Sequence, residues 1–200
     1  MTERPLRLAV FLLCLLPFGW LLYAAGSGAL GADPAETIMH FTGEWSLRLL
    51  VLTLLVSPLR QWTGWRWLFR LRRMLGLYTF FYACIHLAAF CHFYIGWTIA
   101  LLLEELAERP YITVGFGAWL LMLPLAVTST RAMQRRLGRN WPRLHRAVYG
   151  VAVLASCHLL WQARSDLGEA LTYMAVFTLL LGWRLRRYLP AGKLQPSRLP

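Results

Sequence analysis

Six uncharged apolar runs, at about 8–25, 45–59, 74–97, 111–130, 147–163 and 170–183, occupy most of this 200-residue chain. Each approaches the roughly 20 residues that an α-helix needs to cross a bilayer, with soft ends and Arg48 near the start of the second run. The runs predict an all-α integral membrane protein: one transmembrane domain over 1–200, built of six transmembrane helices. Composition agrees, since 58% of residues are hydrophobic, 15% are charged, and the mean hydropathy is +0.48. Soluble domains carry about 25% charged residues. With so much chain committed to spans, a separate nucleotide-binding or catalytic domain is not expected. The first run follows Arg4 and Arg7 as a signal peptide would, but it is longer than a typical signal core of about 7–15 residues. Trp20 and Tyr23 near its end suit an interfacial belt, so it is read as an uncut span.

The charges sort between the two sides. The N-terminus, the 60–73 and 131–146 connections and the tail after 183 hold 18 of the 21 Lys and Arg. By the positive-inside rule these segments are cytoplasmic, and with six spans both termini face the cytoplasm. The other connections hold Asp33, Glu36, Glu44, Glu104, Glu105, Glu108, Asp166 and Glu169, which is every acid but Glu3. The formal net charge of +12 is therefore explained by topology and by anionic lipid head groups, and no nucleic-acid partner is expected. No internal repeat stands out. The 26–44 connection, with Gly-Ala-Asp-Pro as a turn signal, is long enough for a turn and a surface helix, and 98–110 suggests an amphipathic outer segment.

No Asp or Glu lies deep in any run, which argues against transport by a carboxylate relay. Histidine is the ionisable residue in the spans. His86 lies 13 residues beyond Arg73, where the third run enters, and His158 lies 13 residues beyond His145, where the fifth enters. At about 1.5 Å per residue both imidazoles sit roughly 20 Å above the inner surface. A single intramembrane histidine often serves as a hydrogen bond between helices. Two at matching depth, without buried acids, fit the axial pair of a six-coordinate b-type haem. Phe80, Phe81, Tyr82, Phe90 and Trp161 are candidate walls for its slot.

His145 is set near the inner surface, and its counterpart on the third run falls near Arg72 or Arg73, which are poor metal ligands. It binds a second haem with an unusual or absent sixth ligand, contacts a propionate or quinone, or caps a helix. His92 is rotated by about 120° from His86 and cannot share its iron. His40 sits in an outer connection. The four cysteines, Cys14, Cys84, Cys91 and Cys157, form neither a zinc pattern nor a Cys-Xaa-Xaa-Cys-His attachment site, so any haem is non-covalent. Arginines at 66, 70, 72 and 73, and at 131, 135, 136, 139, 143 and 146, make a cationic floor suited first to lipid phosphate and second to propionates or a flavin phosphate.

The stretches GALGADPAETIMHFTG (28–43), RRMLGLYTFFYACIHL (72–87), ERPYITVG (108–115) and LAVTSTRAMQRRLGRNWPRLHRAVYGVAVLASCHLLW (125–161) together resemble the MsrQ family, formerly YedZ. The resemblance runs in order over most of the chain, and the TSTxAMQRxLGxxWxxLH stretch makes it specific. It implies a ferric-reductase-like transmembrane haem bundle, similar to the membrane core of NADPH oxidases, in the bacterial inner membrane. Members of the family are non-catalytic electron-transfer subunits of the MsrPQ system. They pass electrons from the quinone pool to a periplasmic molybdopterin-containing partner, MsrP, that reduces methionine sulfoxide in oxidised proteins. The family's haem histidines fall on His86, His145 and His158. It is also described with FMN, although no segment here forms a flavin-binding motif. The donor is then quinol or a separate cytoplasmic flavin reductase. The alternative from another class is a membrane haem or metal carrier with the histidines as transient ligands.

Overall fold

The computed structural model describes residues 3–163 and 167–186, which are helical apart from short turns. Their elements are α1 (Glu3–Ser27), α2 (Pro34–Thr63), α3 (Leu68–Phe93), α4 (Ile99–Glu108), α5 (Pro110–Val127), α6 (Arg131–Leu137), α7 (Trp141–Leu144), α8 (Val148–Gln162) and α9 (Leu167–Leu185), with 3-10 turns at Gly138–Asn140 and His145–Ala147. Most of the basic tail after residue 183, from 187 on, and the positions Arg164 and Asp166 lie outside the described residues.

Three described helices, at Arg4–Ser27, Leu68–Phe93 and Pro110–Val127, are long and apolar enough to cross a membrane. α2 has the length, but Glu44 and Arg48 interrupt its apolar face, where they pair at 2.5 Å across one helical turn. α8 has 15 residues, short of the roughly 20 that a span needs, and α9 has 19 with Glu169 and Arg184 near its ends. Large apolar side chains such as Leu13, Leu16, Trp161 and Leu179 lie exposed on the outer helix faces. A surface of that kind belongs in lipid, and the chain is a membrane protein.

Local chemistry sets the ends of these helices. The Gly-Ala-Asp-Pro signal does not lead into a separate surface helix. Asp33 caps α2, its side chain accepting from the Glu36 amide at 2.9 Å, and Pro34 occupies the first helical position. From there α2 runs unbroken through Thr63, where Gly64, at φ 73°, closes it. The third run ends four residues earlier than its apolar composition suggests. Gly96 and Trp97 take left-handed backbone, and the Trp97 amide reaches back to the Cys91 carbonyl at 2.9 Å, which turns the chain into α4. The 98–110 segment is helical over Ile99–Glu108.

Two antiparallel helix pairs dominate the packing, α2 along α3 and α5 along α8, with α9 against α8 and α2. Leu50, Leu54, Val151, Ala152 and Phe177 form the core joining α2, α8 and α9. Cys14, Leu49, Val56, Leu68, Leu71, Leu75, Tyr78 and Tyr82 join α1, α2 and α3. In α1, Pro17 interrupts the helical hydrogen-bond ladder, and a side chain from α3 fills the opening. The fully buried Tyr82 hydroxyl donates to the Cys14 carbonyl at 2.8 Å and accepts from the Phe18 amide at 3.1 Å. It thus stands between two groups that an unbroken helix would pair with each other. Tyr78 adds a second anchor, donating to the Phe11 carbonyl at 3.1 Å.

Candidate functional site

α3 and α8 bring His86 and His158 opposite each other. Their ring centres are 6.4 Å apart and their planes are inclined by 82°. A first-row metal bound to one nitrogen of each ring at about 2.0–2.1 Å, with about 1.1 Å more to each ring centre, would separate the centres by roughly 6.3 Å. The observed spacing therefore fits one ion held between two imidazoles. Among the described residues there is no cluster of three or more His, Cys, Asp or Glu side chains able to hold a metal. An ion here would take two protein nitrogens and fill its remaining positions from a macrocycle, which suits haem and does not suit a tetrahedral structural zinc.

The neighbouring helices fix the tautomer of both rings. Nδ1 of His86 lies 3.0 Å from the Met39 carbonyl on α2, and Nδ1 of His158 lies 2.7 Å from the Tyr111 carbonyl on α5. A carbonyl only accepts, so each Nδ1 carries the proton and each Nε2 keeps its lone pair. Thr42 Oγ1, 3.4 Å from the same nitrogen of His86, spends its own proton on the Ile38 carbonyl at 2.7 Å and is a second acceptor. Such outer partners orient metal-binding histidines and raise their basicity.

The aromatic surroundings differ from the expectation. Phe81 and Tyr82 turn toward α1, Phe81 meeting Phe18 at 5.2 Å, and Trp161 is exposed. Height along a helix does not say which neighbour packs on a given face, and the contacts with α1 decide it here. Tyr111 stacks on His158 at 6.3 Å, and a ladder of Phe80, Trp119 and Phe116 runs between α3 and α5 with centres 6.2 and 5.8 Å apart. Trp119 also donates its Nε1–H to Cys84 Sγ at 3.3 Å. Met39, Thr42, Gly43, Tyr111 and Gly115 are site residues that sequence reasoning missed. The one available signal is that each histidine follows a glycine by 43 residues.

His145 is not brought to the pair. It lies on the His145–Ala147 turn that precedes α8, stacked on Trp141 with ring centres 4.0 Å apart. Its Nε2 is 3.1 Å from Thr128 Oγ1, whose own proton goes to the Pro124 carbonyl at 2.5 Å. Nε2 is thus the protonated nitrogen of His145, the reverse of the other two. The Arg72 guanidinium is the nearest charge to the His145 imidazole. Nearby, Arg184 donates to Tyr149 Oη and to Ser57 Oγ. An open depression of about 440 Å³ lined by Arg60, Gln61, Gly64, Arg66, Phe69 and Arg70 lies at the α2–α3 turn. His92 is exposed against Phe93, and His40 is exposed beside Glu36, its Nε2 lying 3.8 Å from the carboxylate. All four cysteines are free thiols.

Comparison with known proteins follows the same residues. The family described as ferric reductase like transmembrane component matches residues 42–156, a stretch that takes in Gly43, His86, Gly115 and His145 and stops two residues short of His158. The protein-methionine-sulfoxide reductase heme-binding subunit MsrQ of Xanthomonas axonopodis pv. citri (strain 306) is 51% identical over 179 residues, covering 90% of this chain and 82% of its own length. The protein of the same description from Xanthomonas campestris pv. campestris (strain B100) is 52% identical over 174 residues, 87% of this chain and 80% of the relative. That of Ralstonia nicotianae (strain ATCC BAA-1114 / GMI1000) is 48% identical over 185 residues, 91% and 85% of the two chains. With likeness of this degree over nearly the whole chain, the protein belongs to the MsrQ family of ferric-reductase-like transmembrane proteins.

Proposed function

We propose that this chain is the b-type haem membrane subunit of a methionine sulfoxide reductase system, with His86 and His158 as the axial ligands. The observation that carries the reading is the pair itself: two imidazoles 6.4 Å apart, each with its Nδ1 proton tied to a backbone carbonyl and its Nε2 lone pair left for iron. The names of the relatives, heme-binding subunits of protein-methionine-sulfoxide reductases, point the same way. Bound between these rings, haem supplies reversible one-electron chemistry. The chain's own part is to hold both imidazoles neutral, deprotonated at Nε2 and fixed in plane, inside apolar helices that keep water away.

In this reading six helices cross the bacterial inner membrane with both termini in the cytoplasm. α8 is lengthened by the turn and helix before it, and the Glu44–Arg48 pair lowers the cost of burying α2. The chain takes electrons at its basic face from the quinone pool, or from a cytoplasmic flavin reductase, and delivers them at its acidic face to a periplasmic molybdopterin partner, MsrP. His145 marks an inner site. A second haem there would use Nδ1, the nitrogen that the Thr128 contact leaves unprotonated. The arginines around it, Arg72 foremost, suit propionates or the phosphate of FMN.

The test is spectroscopic. Purified chain should show a Soret band and reduced-minus-oxidised b-type bands after dithionite, and a quinol such as menadiol should reduce the same haem in detergent. Absence of the bands would sink the reading. Haem reducible by dithionite and by a flavin reductase, but not by quinol, would move the donor to the cytoplasm. Haem that neither donor reduces would turn the reading toward a carrier.

A further inference from the structure

The surroundings of the two histidines are the same arrangement built twice. From Met39 to Tyr111, from Gly43 to Gly115 and from His86 to His158 the step is 72 residues each time. In both halves the histidine bonds a carbonyl 47 residues earlier on the preceding long helix of its pair. In both halves a glycine stands four residues beyond that carbonyl, on the same helix face one turn on. A helical carbonyl already accepts from the amide four residues along, here the glycine's own, and its second lone pair takes the imidazole. The ring then lies along the backbone, anchored at Nδ1 and passing over the glycine. A Cβ at Gly43 would come within 3.2 Å of His86 Nδ1 and Cε1. At Gly115 it would come within 2.7 Å of His158 Nδ1 and 2.8 Å of Cε1, closer than real Cβ contacts permit.

We propose that Gly43 and Gly115, with the carbonyls of Met39 and Tyr111, are the positioning residues that set the height and plane of the two imidazoles and so hold them near-perpendicular. The inference rests on the axial assignment above. It assigns the α2–α3 and α5–α8 pairs as two halves of one repeated ligand-setting device, each half presenting one nitrogen to the shared iron. The two halves share little sequence beyond these positions, so the constant 72-residue step acquires meaning only from the geometry. Other glycines of the same helices lack this role. Gly117, two residues beyond Gly115, would bring a Cβ only to 3.9 Å from Leu154 Cδ1, an ordinary contact.

The experiment compares the full chain in detergent with its Gly43→Ala, Gly115→Ala and Gly117→Ala variants. It reads the haem-to-protein ratio and the low-spin electron paramagnetic resonance of the oxidised haem, whose anisotropy reports the angle between the axial rings. Gly115→Ala is expected to lower haem content about tenfold or more, the usual range for losing an outer partner of a metal-binding histidine. Gly43→Ala, with its looser contact, should keep haem and shift the resonance away from the highly anisotropic form of perpendicular imidazoles. Gly117→Ala should match wild type in both. Wild-type haem content and unchanged resonance in both Gly43→Ala and Gly115→Ala would overturn the proposal while leaving the axial assignment standing. If Gly115→Ala does not accumulate as folded protein, the resonance of Gly43→Ala decides alone. A wild-type chain that binds no haem would overturn the axial assignment and this proposal with it.

Discussion

Tyr82→Phe removes one oxygen atom from a fully buried position and disconnects α3 from the opened turn of α1. The hydroxyl makes two hydrogen bonds, at 2.8 Å to the Cys14 carbonyl and at 3.1 Å from the Phe18 amide. At a net value of about 0.5–1.5 kcal/mol each, the pair contributes about 1–3 kcal/mol. Hydrogen bonds between membrane helices average near the low end, about 0.6 kcal/mol. The orphaned carbonyl and amide are four residues apart in α1, so the turn can partly close on itself. We expect a loss of about 1–2 kcal/mol, or roughly 2–8 °C at the 2–4 °C per kcal/mol typical of a chain this size. Tyr78→Phe gives the internal scale, since it removes a single bond to the Phe11 carbonyl and should cost about half as much. Thermal unfolding of the purified variants in one detergent, followed by near-ultraviolet circular dichroism at a fixed scan rate, makes the comparison. A Tyr82→Phe protein as stable as Tyr78→Phe would refute the idea that this hydroxyl bridges the Pro17 opening.

Asp33→Ala removes the cap of α2 and should lower the melting temperature by the equivalent of about 1 kcal/mol, with Asp33→Asn retaining most of it in the same assay. His145→Ala should leave the His86–His158 haem spectrum intact. If the inner site holds a second haem, the pyridine haemochrome ratio per chain should fall from two to about one; an unchanged ratio would return His145 to the role of a Thr128 and Trp141 partner. His40→Ala, at an exposed side chain whose Nε2 lies 3.8 Å from Glu36, should change neither haem content nor stability by more than about 0.5 kcal/mol.

Each apolar run falls on a helix, because a run of some 15–25 apolar residues has few other stable forms in lipid. That His86 and His158 come opposite each other was legible too, although α3 begins at Leu68 and α8 at Val148 rather than at Arg73 and His145. Rotation was not. Phe81 and Tyr82 were expected beside the histidines and instead face α1, because the turn around Pro17 offers Tyr82 two backbone partners that only the packed pair of helices brings within reach. The shells of Met39 and Gly43, and of Tyr111 and Gly115, escaped for a related reason. A backbone carbonyl has no sequence signature, and a glycine in a helix reads as a packing residue until a ring is seen lying on it. Helix ends were misjudged where a turn overrode composition, at Gly96–Trp97 after α3 and at Asp33–Pro34 before α2.

The central claim is that one iron sits between His86 and His158. Optical and electron paramagnetic resonance spectra of the wild-type chain beside His86→Ala and His158→Ala test it most directly. The account predicts a low-spin, highly anisotropic haem in the wild type, matching rings inclined by 82°, and loss of that species in each single variant. The same low-spin spectrum surviving in both variants would contradict it.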